Sequence, residues 1–404
     1  MLIRRWVALG LVTLGLSLPA GMMAVPAHAA PADQVRNAQA WVLATLGVQR
    51  AWQVTRGAGV TVAVIDSGVN PHVSDLAGSV IPRQPDFTGV GTRPSNPNWG
   101  QHGTWMASLI AGHGHAGGGS GIIGVAPRAR VLSIRVITDP RDPGYHAYQH
   151  ESTTRVQNSL AAAIRYATAH GAGVISMSIG YGGPSRAVRS ALQQAYDHGV
   201  VVLASAGNSG RPAARVGRHA PYSFPADYPG VLAVGASNAS GAAAGFSSEN
   251  ISVQLTAPGV SVPAQGRDGQ YWLVSGTSPA CALAAGVAAL IKSADPRLPP
   301  ALVEYAMTST TRNHPPGGYN DSVGFGTVNA PAALAAARRL SHQVPATGLA
   351  VSASFGGGRA AVPPAPIGRR GPGMLVLFAL LAAASLGLAL AAARIIVLRR
   401  LGAR

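Results

Sequence analysis

The sequence predicts an α/β domain built on a parallel β-sheet, and three observations predict it. Short β-branched runs recur through the middle of the chain, beginning with GVTVAVID at 59–66, and they scarcely alternate between apolar and polar, as strands buried on both faces do. Stretches of helical period separate these runs. Gly and polar clusters punctuate the junctions. In chain order, the expected strands are 59–66, 129–136, 173–178, 200–205 and 231–234, and the expected helices are 102–111, 155–170, 186–198 and 279–292. Segment 138–154 (TDPRDPGYHAYQHESTT) is polar and rich in turn formers, and reads as an exposed loop.

The two ends read as membrane segments. Arg4 and Arg5 lead into an apolar stretch from Trp6 to about Val25, followed by Ala27-His28-Ala29, so 1–29 is expected to be a secretory signal peptide. Residues 30–51 form an extension too short to fold alone, expected to pack across the domain at 52–340. A Pro/Gly/Ala-rich linker at 341–373 precedes 374–393, 20 residues without a charge. At about 1.5 Å per residue these span about 30 Å of hydrocarbon, enough for one transmembrane helix. The tail 394–404 carries Arg394, Arg399, Arg400 and Arg404 and no acid. Export of the N-terminus would put the main domain outside the cell membrane and this basic tail in the cytoplasm, although Arg369 and Arg370 reduce the charge asymmetry.

The formal charge is +17, yet all 14 acidic residues lie between Asp33 and Asp321, and nine of the positive units belong to the two ends. No basic cluster interleaved with aromatics occurs, which argues against a nucleic-acid partner. Cys281 is the one cysteine, so stability is expected from packing rather than disulfides.

Asp66 ends the first strand, His102 begins a helix, and Ser278 stands where SGTS enters a long apolar helix. A serine hydroxyl becomes a nucleophile when a histidine takes its proton, and a carboxylate must hold that histidine in the right tautomer. A helix N-terminus at Ser278 offers free N–H groups to a developing oxyanion, and the Asn208 amide, after the strand in VVLASAGN, supplies a second donor. The set points to acyl transfer.

These residues and their order, Asp then His then Ser, resemble the subtilisin-like serine peptidases. The resemblance runs from about Trp52 to Ala335 through VAVIDSGV, HGTWMAS, ASAGN and SGTSPACALAAGVAAL. It implies a subtilisin-like fold, a peptide or protein substrate and no cofactor. It also implies that Ser176, Ser178, Ile179 and Gly180 lie on the strand that pairs with substrate, and that Ala204, Ser205, Ala206 and Gly207 wall the pocket for the P1 side chain. The signal peptide, short extension, linker and single C-terminal helix are similar to the mycosins, membrane-anchored proteases associated with type VII secretion in actinobacteria. An alternative is a structural subunit of a membrane secretion complex, with proteolysis secondary; a surface esterase would use the same triad.

Other patterns carry less. Gly112, Gly114 and Gly117 spell a dinucleotide fingerprint but follow a helix rather than a strand. His102, His113 and His115 have no neighbouring acid or thiol to complete a zinc set. Asp139, Asp142, His146, His150 and Glu151 match no metal-loop spacing, so no metal is expected.

Overall fold

The computed structural model describes residues 25–26, 32–115, 120–210, 220–342 and 372–401. Its strands are β1 (Val25–Pro26), β2 (Thr61–Asp66), β3 (Arg130–Arg135), β4 (Val174–Met177), β5 (Val201–Ser205), β6 (Val231–Ser237), β7 (Val253–Pro258), β8 (Val262–Gln265) and β9 (Tyr271–Val274). Its helices are α1 (Ala32–Leu46), α2 (Val48–Ala51), α3 (Gln101–Ala111), α4 (Tyr145–Gln149), α5 (Thr153–Ala169), α6 (Arg186–Asp197), α7 (Thr277–Ala294), α8 (Pro300–Thr308), α9 (Ala330–Ser341) and α10 (Pro372–Leu401).

Six strands form one parallel sheet in the order β3-β2-β4-β5-β6-β7. Successive side chains alternate faces, so β2 sends Val62 and Val64 into one core and Ala63 and Ile65 into the other. The second core is closed by α5 and α6, through Leu160, Ile164, Val188 and Leu192. The first is filled by α7, buried from Thr277 to Lys292 and packed between the sheet and helices α3, α8 and α9. A helix apolar around its whole circumference belongs in a protein core or a membrane, and this one lies in the core. Its close approach depends on small residues: a Cβ on Gly286 would lie 2.5 Å from Val125.

The extension is part of this domain. Val35, Gln39, Val42, Leu43 and Leu46 form the buried stripe of α1. Gln39 Nε2 donates to the Ile123 carbonyl (2.7 Å), and the Ile123 N–H donates to Gln39 Oε1 (3.1 Å). A smaller antiparallel sheet, β1-β9-β8, lies beside it.

Segment 138–154 departs from its expectation as an exposed loop. Thr138, Asp139, Asp142 and Tyr148 are buried, and α4 and the start of α5 lie within it. The cause is Arg135, fully buried at the end of β3, which donates to Asp142 (2.7 Å) and Asp86 (2.6 Å) while its guanidinium lies 5.6 Å from the Trp99 ring. A buried cation requires partners, and the chain folds inward to provide them.

Residues 345–404 form a separate unit, described by α10. Within it, Val376–Ile396 has a mean hydropathy of 2.4 and is exposed throughout, long and apolar enough to cross a membrane. Helix α7 is similarly long and apolar, but 89% of it is buried in the domain. Apart from Val25–Pro26, the expected signal peptide lies outside the described residues, as do nearly all of the linker and Gly117.

Replacing Arg135 with Met leaves Asp142 buried without its cation, and is expected to destabilise the domain by roughly 3–5 kcal/mol. Urea unfolding followed by circular dichroism would read this as a lower midpoint at unchanged slope. An unchanged midpoint would show that the pair contributes nothing.

Candidate active site

Open parallel sheets gather functional groups at the carboxyl ends of their strands. Asp66, the last residue of β2, is fully buried, and its Oδ1 accepts from the Ser67 N–H (2.7 Å) and from His102 Nδ1 (2.7 Å). This bond assigns the Nδ1 proton and leaves Nε2 as the acceptor face of the ring. The turn after β2 is shaped for close packing, since Gly68 has φ 100° and a Cβ there would lie 2.4 Å from the Trp99 ring. His102 sits at the start of α3 and meets Trp105 edge-on, with ring centroids 6.2 Å apart. Burial lowers the His102 pKa, but the charge and hydrogen bond of Asp66, with the charge of Asp139, outweigh it and hold the imidazole above the usual histidine value.

Ser278 is the second residue of α7, where the first N–H groups have no partner within the helix. Its hydroxyl donates to the Ser178 carbonyl (3.4 Å) and does not bond His102, while Ser178 Oγ donates to the Ser278 carbonyl (3.0 Å). Asn208 is oriented by Thr277, whose N–H (2.9 Å) and hydroxyl (3.0 Å) both donate to Asn208 Oδ1. That leaves Nδ2 as the outward donor, lying 3.4 Å from where a Cβ on Gly276 would stand at the mouth of α7.

The expected substrate strand divides in two. Ser176 lies inside β4, buried, with its hydroxyl 3.8 Å from Cys281 Sγ, whereas Ile179 and Gly180 emerge beyond the strand, half-buried and exposed. Ser178 is buried and faces Ser278. Among the pocket residues, Ala204 is fully buried in the core against α5 and α6, while Ser205 and Ala206 are nearly so and Gly207 is half-buried.

Asp139 belongs here and was missed as a site residue. Its Oδ2 accepts the Gln101 N–H (2.8 Å) and its Oδ1 the His102 N–H (3.0 Å). The acids of its segment therefore have other work: Asp139 holds α3 and Asp142 holds Arg135. His146 on α4 and His150 just past its end meet in a tilted ring contact, centroids 4.2 Å apart. Among the described residues no group of three or more His, Cys, Asp or Glu side chains is placed to hold a metal.

A carboxylate–imidazole pair and a serine at a helix N-terminus are groups that serine-based acyl transfer uses. The family match makes the class specific: residues 57–326 match the subtilase family (Peptidase_S8), and the chain belongs to it, a family of serine peptidases. Mycosin-1 of Mycobacterium tuberculosis is 33% identical over 338 residues, covering 73% of this chain and 72% of that protein. Fervidolysin of Fervidobacterium pennivorans is 33% identical over 320 residues, and the match covers 73% of this chain but only 43% of fervidolysin. Among solved structures, MycP1 from Mycobacterium smegmatis is similar with a TM-score of 0.60 at 29% identity, covering 73% of this chain and 84% of that one. MycP3, a protease from the type VII (ESX-3) secretion system, aligns with a TM-score of 0.59 at 29% identity over 73% of this chain and 87% of its own.

Cys281 lies one turn into α7, fully buried, and burial pushes its thiol up to about 12. Iodoacetamide at pH 8 is therefore expected to leave the folded protein unmodified and to alkylate it in guanidinium, as read by intact mass. Rapid modification of the folded protein would show the thiol to be accessible.

Proposed function

We propose that the protein is a serine endopeptidase held in the cell membrane by α10, with its catalytic domain outside and its tail in the cytoplasm, acting with a type VII secretion system. The observation that carries the chemistry is the 2.7 Å bond from His102 Nδ1 to Asp66, which leaves Nε2 able to accept a proton. In the reaction, the Ser278 hydroxyl turns from the Ser178 carbonyl to His102, gives Nε2 its proton and attacks the scissile carbonyl. Asp66 stabilises the resulting imidazolium. The oxyanion is met by Asn208 Nδ2 and the Ser278 N–H, and His102 then returns the proton to the leaving amine. Water attacks the acyl-enzyme by the same route, restoring the serine. Ser178, Ile179 and Gly180 offer backbone to an extended peptide, and Gly207 lines the approach to the P1 pocket.

The secretion assignment is supported by the similarity to mycosin-1 and MycP3, together with an apolar C-terminal helix. The resting bond from Ser278 to Ser178 instead of His102 favours a second reading, a structural subunit in which proteolysis is secondary. Complementing a deletion strain with Ser278→Ala separates the two: full rescue of secretion favours the structural role.

A fluorophosphonate probe should label wild-type protein and not Ser278→Ala, and equal labelling sinks the peptidase reading. Asn208→Ala should lower turnover by roughly 10²–10³, the loss known for one oxyanion donor in a subtilisin. Full-length protein should sediment with membranes and be released by detergent, whereas protein truncated after residue 342 should be soluble. If the truncated form stays membrane-bound, α10 is not the anchor.

A further inference from the structure

The start of α3 carries His102, yet its own capping residue does no capping. Gly100 has φ 78° and no side chain to accept from the first N–H groups of the helix. Those groups are met from elsewhere in the fold. Asp139, four residues past the end of β3, places one carboxylate oxygen on the Gln101 N–H at 2.8 Å and the other on the His102 N–H at 3.0 Å. It is 7% exposed, so the contact is made inside the protein rather than across a loop surface.

We propose that Asp139 is the positioning residue of His102: bridging the first two amides of α3, its carboxylate fixes the backbone from which the imidazole projects and sets a second negative charge beside the Asp66–His102 pair. This rests on the reading of His102 as general base. A carboxylate at a helix N-terminus is favoured by the helix dipole as well as by the two bonds. Burial pushes the Asp139 carboxyl up, while the His102 charge and the amide bond oppose that rise. In turn, its charge is among the influences that raise His102. The charged and titratable groups around this point are Asp66 from β2, Asp139 from the segment after β3, and Arg267 and Asp268 from the β8–β9 turn. Arg267 is tied to the Pro97 and Pro94 carbonyls (2.9 and 3.0 Å) and lies in the field of Asp139. The arrangement gives Asp139 two separable effects, one geometric and one electrostatic.

The test is the rate of fluorophosphonate labelling of detergent-solubilised full-length protein as a function of pH, which requires no known substrate. In wild type the rate rises with pH as His102 becomes neutral. Asp139→Asn, which keeps an acceptor oxygen and removes the charge, should label roughly ten- to a hundred-fold more slowly, with its acid limb displaced to lower pH because His102 loses a stabilising negative charge. Asp139→Glu keeps the charge and misplaces the cap, so its rate should fall while the limb stays near that of wild type. A residue that only stabilised the fold would lower the melting temperature and leave the limb unmoved, so an Asp139→Asn protein with the wild-type limb overturns the proposal whatever its rate. Should that variant not fold, Asp139→Ser answers the same question, since its hydroxyl can accept from an amide and carries no charge. Its limb should likewise move to lower pH, and an unmoved limb again overturns the proposal. Absence of labelling in wild type itself refutes the general-base reading, an outcome distinct from either of these.

Discussion

The enclosure of α7 is the constraint on which the rest of the domain depends. A helix of 18 residues buried from its first turn to Lys292 has no solvent face, so every neighbour has to close around it. The sheet does so from one side, and α3, α8 and α9 from the other. Even Lys292 conforms, its ammonium satisfied by the Pro296 and Leu298 carbonyls. Because protein interiors pack at crystal-like density, a residue on such a helix is held with little freedom. Ser278 and Thr277 open this helix, so the site acquires the rigidity of the core. Thr277 extends that rigidity outward by holding the Asn208 side chain in one orientation.

The imidazole is held by a different principle. His102 lies on α3 near its start, where a helix is least constrained by its own hydrogen bonds. Two carboxylates compensate, Asp66 from β2 acting on the ring and Asp139 from beyond β3 acting on the backbone. β2 and β3 are neighbours in the sheet, paired in register with Asp66 opposite Arg135. A single strand pair therefore delivers both acids, and Arg135 between them anchors the segment from which Asp139 projects.

Much of this was legible in the sequence where the signal was local. Strands such as GVTVAVID and the apolar run after Ser278 announce themselves by composition, and the expected bounds fall within a few residues of β2 and α7. Strands β7 and β8 escaped because their sequences mix Gln, Pro or Thr with apolar residues, and β9 because four residues, YWLV, are too few to show a period. The extension was foreseen to pack across the domain, but its helix α1 was not, since its buried stripe includes the polar Gln39. The segment after β3 was misread because a polar sequence normally stays in water. What brought it inside was one buried arginine, and a single residue at the end of a strand does not reveal from sequence that it will recruit acids from two loops. Ser176 and Ala204 show a related limit: a motif locates a strand, but packing decides how deep each residue lies, Ser176 against Cys281 and Ala204 against α5 and α6.

The same reasoning changes the meaning of the charge. A chain with 31 basic and 14 acidic residues invites a search for a polyanion partner. Yet four of those acids, Asp66, Asp75, Asp139 and Asp142, are buried, and each has a defined internal task. Asp66 holds a histidine ring, Asp139 a helix start and Asp142 an arginine. Asp75 accepts the Ile122 N–H and lies 3.3 Å from His115 Nε2. Among the described residues Arg135 and Lys292 are buried as well, so burial withdraws four acids against two bases and leaves the surface somewhat more positive than the composition alone implies. Two of the four, Asp66 and Asp139, order the region around His102, and the other two tie Arg135 and the Ile122 segment to the body of the domain.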